Sequence, residues 1–156
     1  MPKEESAHKP VDHLIARLFI RPVSSRIAKF LVNTNITPNH LTTLSLLYSL
    51  GAAIFFAFGE YFYLVLGVIL FQIGFYIFDN ADGDLARLRG QKSEFGAWYD
   101  DIDDRIREVS SFLGLTIGAY RLTQDLNVLI IGFIAIINIL MVNFLRASTY
   151  KFSTKM

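Results

Sequence analysis

The sequence predicts an all-α fold: a polytopic bundle of membrane helices with an N-terminal amphipathic juxtamembrane helix. Two observations carry this. The chain has 156 residues, of which 53% are hydrophobic and 19% charged, against about 25% charged in a typical soluble domain. Its apolar residues are gathered into uncharged runs at 41–59, 61–78 and 126–145. Each run approaches the roughly 20 residues that cross a hydrocarbon core about 30 Å thick. A chain this short cannot bury three such helices under a polar shell, so the runs read as membrane spans. The absence of Cys excludes a disulfide framework, a thiolate zinc site and a cysteine nucleophile. A net charge of +1 says little about partners, the distribution of charge says more, and no nucleic-acid partner is expected.

Residues 1–35 form the first element. In "VDHLIARLFIRPVSSRIAKFLVNT" the apolar positions Leu14, Ile15, Leu18, Phe19, Val23, Ile27, Phe30 and Leu31 recur at helical spacing, with Arg17, Arg21, Arg26 and Lys29 among them. Pro22 is expected to break or kink the helix. The stretch reads as one or two basic amphipathic helices at headgroup level, the other reading being a solvated helix packed on the domain. The polar start followed by a basic stretch is not the pattern of a cleavable signal peptide.

The membrane domain is read as residues 36–150, with spans at about 38–59, 61–88, 94–120 and 126–147 and a basic tail at 151–156. Thr37 suits an N-cap and Pro38 the first helical position. The amides near Asn39 and His40 then stand at a helix N-terminus, where phosphate oxygens bind well. The third span is the least obvious. Proline does not interrupt it and "VSSFLGLTIGAY" is apolar, but its first half carries Asp100, Asp101, Asp103, Asp104, Arg105, Arg107 and Glu108. Charges within a membrane should face a cavity or a partner. With four spans, Arg121 alone among the 15 Lys and Arg falls in the loops of the far side. Both termini and the acidic stretch are therefore expected at the cytoplasmic face of the cell membrane.

The acidic stretch "FDNADGDLARLRGQKSEFGAWYDDIDDR" carries the chemistry. Asp79 and Asp82 share one helix face, as do Asp100 and Asp104. A turn around Arg89–Lys92 lets the two pairs face each other. At an effective dielectric near 20, each close pair of ionised carboxylates costs on the order of 3–4 kcal/mol. Either some are protonated or a cation sits between them. Carboxylate oxygens without Cys or suitably spaced His favour Mg²⁺, Mn²⁺ or Ca²⁺ over zinc. Gly83 and Gly96 each remove a side chain beside an aspartate pair, where something bulky must approach. Arg87, one turn beyond Gly83, can offer a planar fork to a phosphate. Together these point to a diphosphate site. A solvated acidic cap or a structural Ca²⁺ site is the plainer reading, but an EF-hand loop fails because Ala81 occupies its third position, and solvated charge needs no glycines in register.

These residues carry a resemblance. Asp79-x-x-Asp82-Gly83-x-x-Ala86-Arg87, eight residues, Gly96-x-x-x-Asp100-x-x-x-Asp104 resembles, at every fixed position, the signature of the class I CDP-alcohol phosphatidyltransferase family. "TPNHLT" resembles the segment opening that family's first span. The resemblance implies that Asp79, Asp82 and Asp100 bind divalent metal, Mg²⁺ or Mn²⁺ and as two ions. It implies that Asp104 is the catalytic base and also touches the second metal. It makes Thr37, Pro38, Asn39, His40, Gly83, Arg87 and Ser93 donor contacts and Gly96 a close-approach glycine. Asp84, Asp101 and Asp103 fall outside the signature and are expected to be auxiliary or solvated. The implied reaction displaces CMP from a CDP-alcohol, such as CDP-diacylglycerol, by an alcohol acceptor in phospholipid biosynthesis.

The family's usual six spans exceed the four read here. The chain is expected to be a fragment, to be completed by another chain, or to be a reduced relative. Arg146 sits where relatives have a basic residue and would bind a phosphorylated acceptor, or it is a positive-inside anchor with Lys151 and Lys155. The acceptor stays open among glycerol phosphate, inositol phosphate, serine and a second lipid. The run "RPVSSRIAKFLVNTNITPNHLT" resembles relatives that use inositol phosphate. Family members are often homodimers. Two other readings compete: a membrane prenyltransferase, since "DDIDD" at 100–104 reads as DDxxD, and a non-catalytic cation-binding membrane protein.

Overall fold

The computed structural model describes residues 20–153, with side chains for residues 20–148. Leu14, Ile15, Arg17, Leu18 and Phe19 of the expected surface stripe, and the side chains of the tail 151–156, lie outside the described residues. The described residues are helices and short connections, with no strand among them. In order they are α1 (Arg21–Leu31), α2 (Pro38–Phe58), α3 (Tyr61–Gln72), α4 (Asp79–Arg89), α5 (Glu94–Thr123) and α6 (Leu126–Ser153). A π-helical stretch, Ile73–Phe78, keeps the chain helical from Tyr61 to Arg89.

The boundaries follow local chemistry. At the start of α2 the His40 N–H donates to Thr37 Oγ1 (3.4 Å) while the Thr37 N–H donates to His40 Nδ1 (3.2 Å). This is a reciprocal cap with His in the place usually held by Glu or Gln. α4 ends at Gly90, which adopts φ 63°. The Gly90 N–H donates to the Arg87 carbonyl and the Gln91 N–H to the Ala86 carbonyl, the paired bonds of a Schellman motif that favours glycine at this left-handed position. α5 is capped by Ser93, whose hydroxyl accepts from the Gly96 N–H at 3.0 Å.

Pro38–Phe58, Tyr61–Arg89 and Leu126–Ser148 are long and apolar enough to cross a membrane. At 30 residues α5 is also long enough, about 45 Å, but its first half carries the charges.

The chain divides into two units, one of residues up to 48 with 71–103 and one of 49–70 with 104 onward. In the first, α1 packs on α4 around Ala28, Leu31, Leu41, Ala81 and Leu85, flanked by Ile27, Val32 and Phe78. The buried face of α1 is Arg21, Ser24, Ala28 and Leu31. The apolar positions of the spacing are divided: Leu31 is buried, while Val23 is exposed and Phe30 is 81% exposed, beside exposed Arg26 and Lys29. The reason is a polar partner on α4, described below, that draws Arg21 and Ser24 inward. Small Ser24 and Ala28 let the helices approach. Pro22 stands in the first turn of α1, where its missing N–H forfeits no helical bond.

In the second unit, α2 and α5 meet through small residues. A Cβ at Gly114 would strike the backbone of Ala53, and one at Gly118 the carbonyl of Phe56. Gly114 and Gly118 are four apart, the spacing that lets membrane helices touch backbone to backbone. Asn143 of α6 donates to Glu108 Oε2 of α5 at 2.8 Å.

Candidate active site

The first unit contains an open cavity of about 680 Å³, its solvent-filled mouth included, lined by Pro38, Asn39, Thr42, Asp82, Gly83, Ala86, Arg87, Gln91, Lys92, Ser93, Gly96, Ala97 and Asp100. Three elements supply it. The first turn of α2 brings Pro38 and Asn39, the face of α4 brings Asp82 to Arg87, and the turn into α5 brings Ser93 to Asp100. Thr43 Oγ1 and the Tyr99 hydroxyl lie 2.8 Å apart and tie α2 to the start of α5.

The glycines are explained by what surrounds them. A Cβ at Gly96 would lie 3.1 Å from Ser93 Oγ and 3.6 Å from Asn39 Oδ1, and one at Gly83 would lie 3.4 Å from Arg87 NH1. Side chains there would crowd the polar groups of the cavity wall rather than the helix itself.

The carboxylates lie on facing helices. Asp82 is buried, and the Thr42 hydroxyl donates to its Oδ2 at 2.5 Å. Asp79 and Asp100 lie within repulsive range of Asp82. Carboxylate oxygens of Asp79 on α4 and Asp103 on α5 approach within 4.8 Å. Asp104 is the next residue of α5, with Arg107 NH1 3.3 Å from its Oδ1. Oxygens at this spacing can share a cation whose bonds are about 2.0–2.6 Å. The donor set is all carboxylate, so the residues fit a hard divalent ion. The π-helical stretch ends just before Asp79: its Gly74 carbonyl accepts from both the Asp79 N–H and the Ser45 hydroxyl (3.0 Å). Wide π turns recur at functional sites, and nothing in the local sequence announces this one.

Of the two alternatives expected for the aspartates outside the signature, auxiliary or solvated, burial removes the second for Asp84 and Asp103. Asp84 is not solvated: it is 3% exposed, and its Oδ1 accepts from Arg21 NH1 at 3.2 Å and Arg87 NH2 at 2.5 Å. Asp84 Oδ2 accepts from Ser25 at 3.0 Å and Ser24 at 3.4 Å. This is the polar partner that turns the Arg21 and Ser24 face of α1 toward α4. Asp103 is fully buried, while Asp100, three residues earlier on the same side of α5, is exposed at the cavity. Asp101 is exposed, as expected off that face.

Of the donor residues expected near α2, Pro38 and Asn39 line the cavity, while Thr37 and His40 cap the helix that presents them. Gly83, Arg87, Ser93 and Gly96 line it too. Among the aspartates expected to hold metal, Asp82 and Asp100 line it, and Asp79 lies beside Asp103. Arg146 belongs to the second unit and is exposed. Sequence reasoning missed Arg89 altogether. Its guanidinium donates to the carbonyls of Leu31 (2.5 Å), Val32 (3.0 Å), Thr34 (2.7 Å) and Ile36 (2.6 Å). It thereby orders the connection leading to Pro38. The only local signal for it is a basic residue in the last turn of α4.

Known proteins give the same picture. The chain is 40% identical over 94 residues to a bifunctional IPC transferase and DIPP synthase of Aquifex aeolicus, a match covering 60% of this chain and 21% of the relative. It is 36% identical over 96 residues to the archaetidylinositol phosphate synthase of Pyrococcus horikoshii, covering 60% of this chain and 47% of the relative. To the phosphatidylinositol phosphate synthase of Streptomyces avermitilis it is 32% identical over 103 residues, covering 65% and 41%. The chain thus spans less than half the length of each of these relatives. The family model for CDP-alcohol phosphatidyltransferase matches residues 35–155, so nearly all of the described chain is accounted for. With the signature aspartates, glycines and Arg87 on facing helices, and three helices apolar enough to span a bilayer, the chain is an all-α membrane protein that belongs to the CDP-alcohol phosphatidyltransferase family.

Proposed function

We propose that this chain transfers a phosphatidyl or phosphoalcohol group from a CDP-alcohol, with CDP-diacylglycerol as donor, to an alcohol acceptor, releasing CMP. The observation that carries the reading is the single cavity that gathers Asp82, Asp100, Gly83, Arg87, Asn39 and Ser93. Carboxylates for a metal and an arginine for a phosphate there share one wall. Asp79, Asp82, Asp100 and Asp104 would hold Mg²⁺ or Mn²⁺, with Asp103 adjoining Asp79. Two ions so held supply charge neutralisation for the diphosphate and the leaving CMP.

The remaining steps fall to the protein. Arg87 binds a diphosphate oxygen through its fork. Asn39 and Ser93 orient the donor, and Gly83 and Gly96 leave room for it. The acceptor hydroxyl oxygen attacks the phosphorus bearing the lipid alcohol, and the bond to CMP breaks with its electron pair leaving on CMP. Asp104 accepts the hydroxyl proton. Two of the relatives carry inositol phosphate in their names, which supports a phosphorylated inositol acceptor and gives Arg146 a role as its phosphate contact.

The same reading assigns four spans, with α5 as the third, and places the cavity at the cytoplasmic face by the distribution of Lys and Arg. The exposed Val23, Arg26, Lys29 and Phe30 suit α1 to the headgroup layer. There a lipid donor keeps its tails in the bilayer and its nucleotide in water. A prenyltransferase reading leaves Gly83, Ala86 and Arg87 without a role, and the family match argues against it. The deciding experiment is release of CMP from CDP-diacylglycerol with Mg²⁺ against a panel of alcohols. Release of inorganic diphosphate from prenyl donors, with no CMP formed, would replace this reading.

A further inference from the structure

We propose that Asp84 is a positioning residue for Arg87, and that through it helix α1 becomes part of the donor site. The inference rests on reading the cavity as a CDP-alcohol site. Asp84 contacts no cavity surface itself, but the arginine it binds does. Its Oδ1 bridges Arg21 of α1 and Arg87 of α4, while Ser24 and Ser25 of α1 donate to Oδ2. Ser24, Asp84 and Arg21 are buried, and the Arg87 side chain is 28% exposed.

Two consequences follow from this arrangement. First, holding one terminal nitrogen of Arg87 fixes a long side chain that would otherwise lose rotamer freedom on binding a phosphate, an ordering cost met here by the fold. Second, the charges are matched. A lone carboxylate against Arg87 would cancel the attraction of the arginine for an anion. Arg21 offsets Asp84, so the group of three keeps one positive charge, and Arg87 is its exposed member. Arg21 thus lets Asp84 orient Arg87 without neutralising it.

The test uses the full chain in detergent micelles with Mg²⁺ and follows binding of soluble cytidine diphosphate by calorimetry, with melting curves to verify folding. Arg87→Ala should weaken binding about 10–100-fold, the value of charge-assisted hydrogen bonds. Asp84→Asn should weaken it about 3–10-fold, the cost of reordering one such side chain. In the Arg87→Ala background, Asp84→Asn should add less than about 2-fold, because the two act through one contact. Should Asp84→Asn fail to fold with Arg21 stranded, the double variant Arg21→Met/Asp84→Asn removes both buried charges together and avoids that strand. It should show the same loss with Arg87 present. If Arg87→Ala binds as tightly as the unaltered chain, the donor-site reading itself fails. If Arg87→Ala weakens binding but the Asp84 variants do not, or if their loss persists undiminished without Arg87, the positioning role is overturned and that reading stands.

Discussion

Replacing Arg89 by Ala removes one guanidinium from four carbonyls. Those of Leu31 and Val32 are partly buried at the end of α1, and those of Thr34 and Ile36 are exposed in the connection to α2. Hydrogen bonds to a charged group contribute about 1.5–3 kcal/mol each where water is excluded. Water replaces the two exposed ones at little cost. Counting the partly buried pair near the lower bound and the exposed pair at a few tenths each, the loss is about 3–4 kcal/mol. For a domain of this size that lowers the melting temperature by roughly 6–16 °C. The effect should be local as well as global, since residues 32–37 lead directly into the capped turn that presents Pro38 and Asn39. Arg89→Lys should recover little, because one ammonium cannot span four acceptors arranged for a planar fork. The assays are thermal melting in detergent and amide hydrogen exchange across residues 32–40. A melting temperature within about 1 °C of the unaltered chain, or full recovery by Lys, would refute the reasoning.

Three more outcomes are expected. Saturating Mg²⁺ or Mn²⁺ should raise the melting temperature, by about 2.7 kcal/mol of stabilisation at 100 times the dissociation constant, and EDTA should lower it; identical curves would speak against carboxylates converging on a cation. Asp104→Asn should cut turnover by about 100-fold or more while donor binding holds, whereas exposed Asp101→Asn should change neither. Equal damage from the two would mean that the register of α5 has been assigned wrongly. A cysteine introduced at Gln124 should be labelled only from outside the cell and one at Lys3 or Lys155 only from the cytoplasm. Labelling of Gln124 and Lys155 from one side would remove the four-span topology.

Much of this protein is written locally. Thr37, Pro38, Gly90 and Ser93 set helix ends through bonds a few residues long, so the boundaries of α2, α4 and α5 can be read from the chain alone. The long uncharged runs need only their own length and hydropathy to mark spans. The signature aspartates are legible because positions three and four apart share a helix face whatever surrounds them. That same rule admits both Asp103 and Asp104 after Asp100, and the choice between them is not local.

Only the tertiary structure decided the rest. Asp84 reads as auxiliary or solvated until α1 is packed on α4, because its partners Arg21, Ser24 and Ser25 lie about sixty residues away. The face α1 buries is decided by the same distant partner. Apolar spacing counts transfer free energy, whereas the packed helix chose small and polar residues that could reach a buried carboxylate, leaving Phe30 exposed. Arg89 gives no sign in sequence of the four carbonyls it gathers. The wide turn before Asp79 is matched by a hydroxyl from another helix, Ser45. Periodicity records what a helix can do by itself. Burial of charge and the meeting of one helix with another depend on partners distant in the chain, and those partners exist only once the fold has formed.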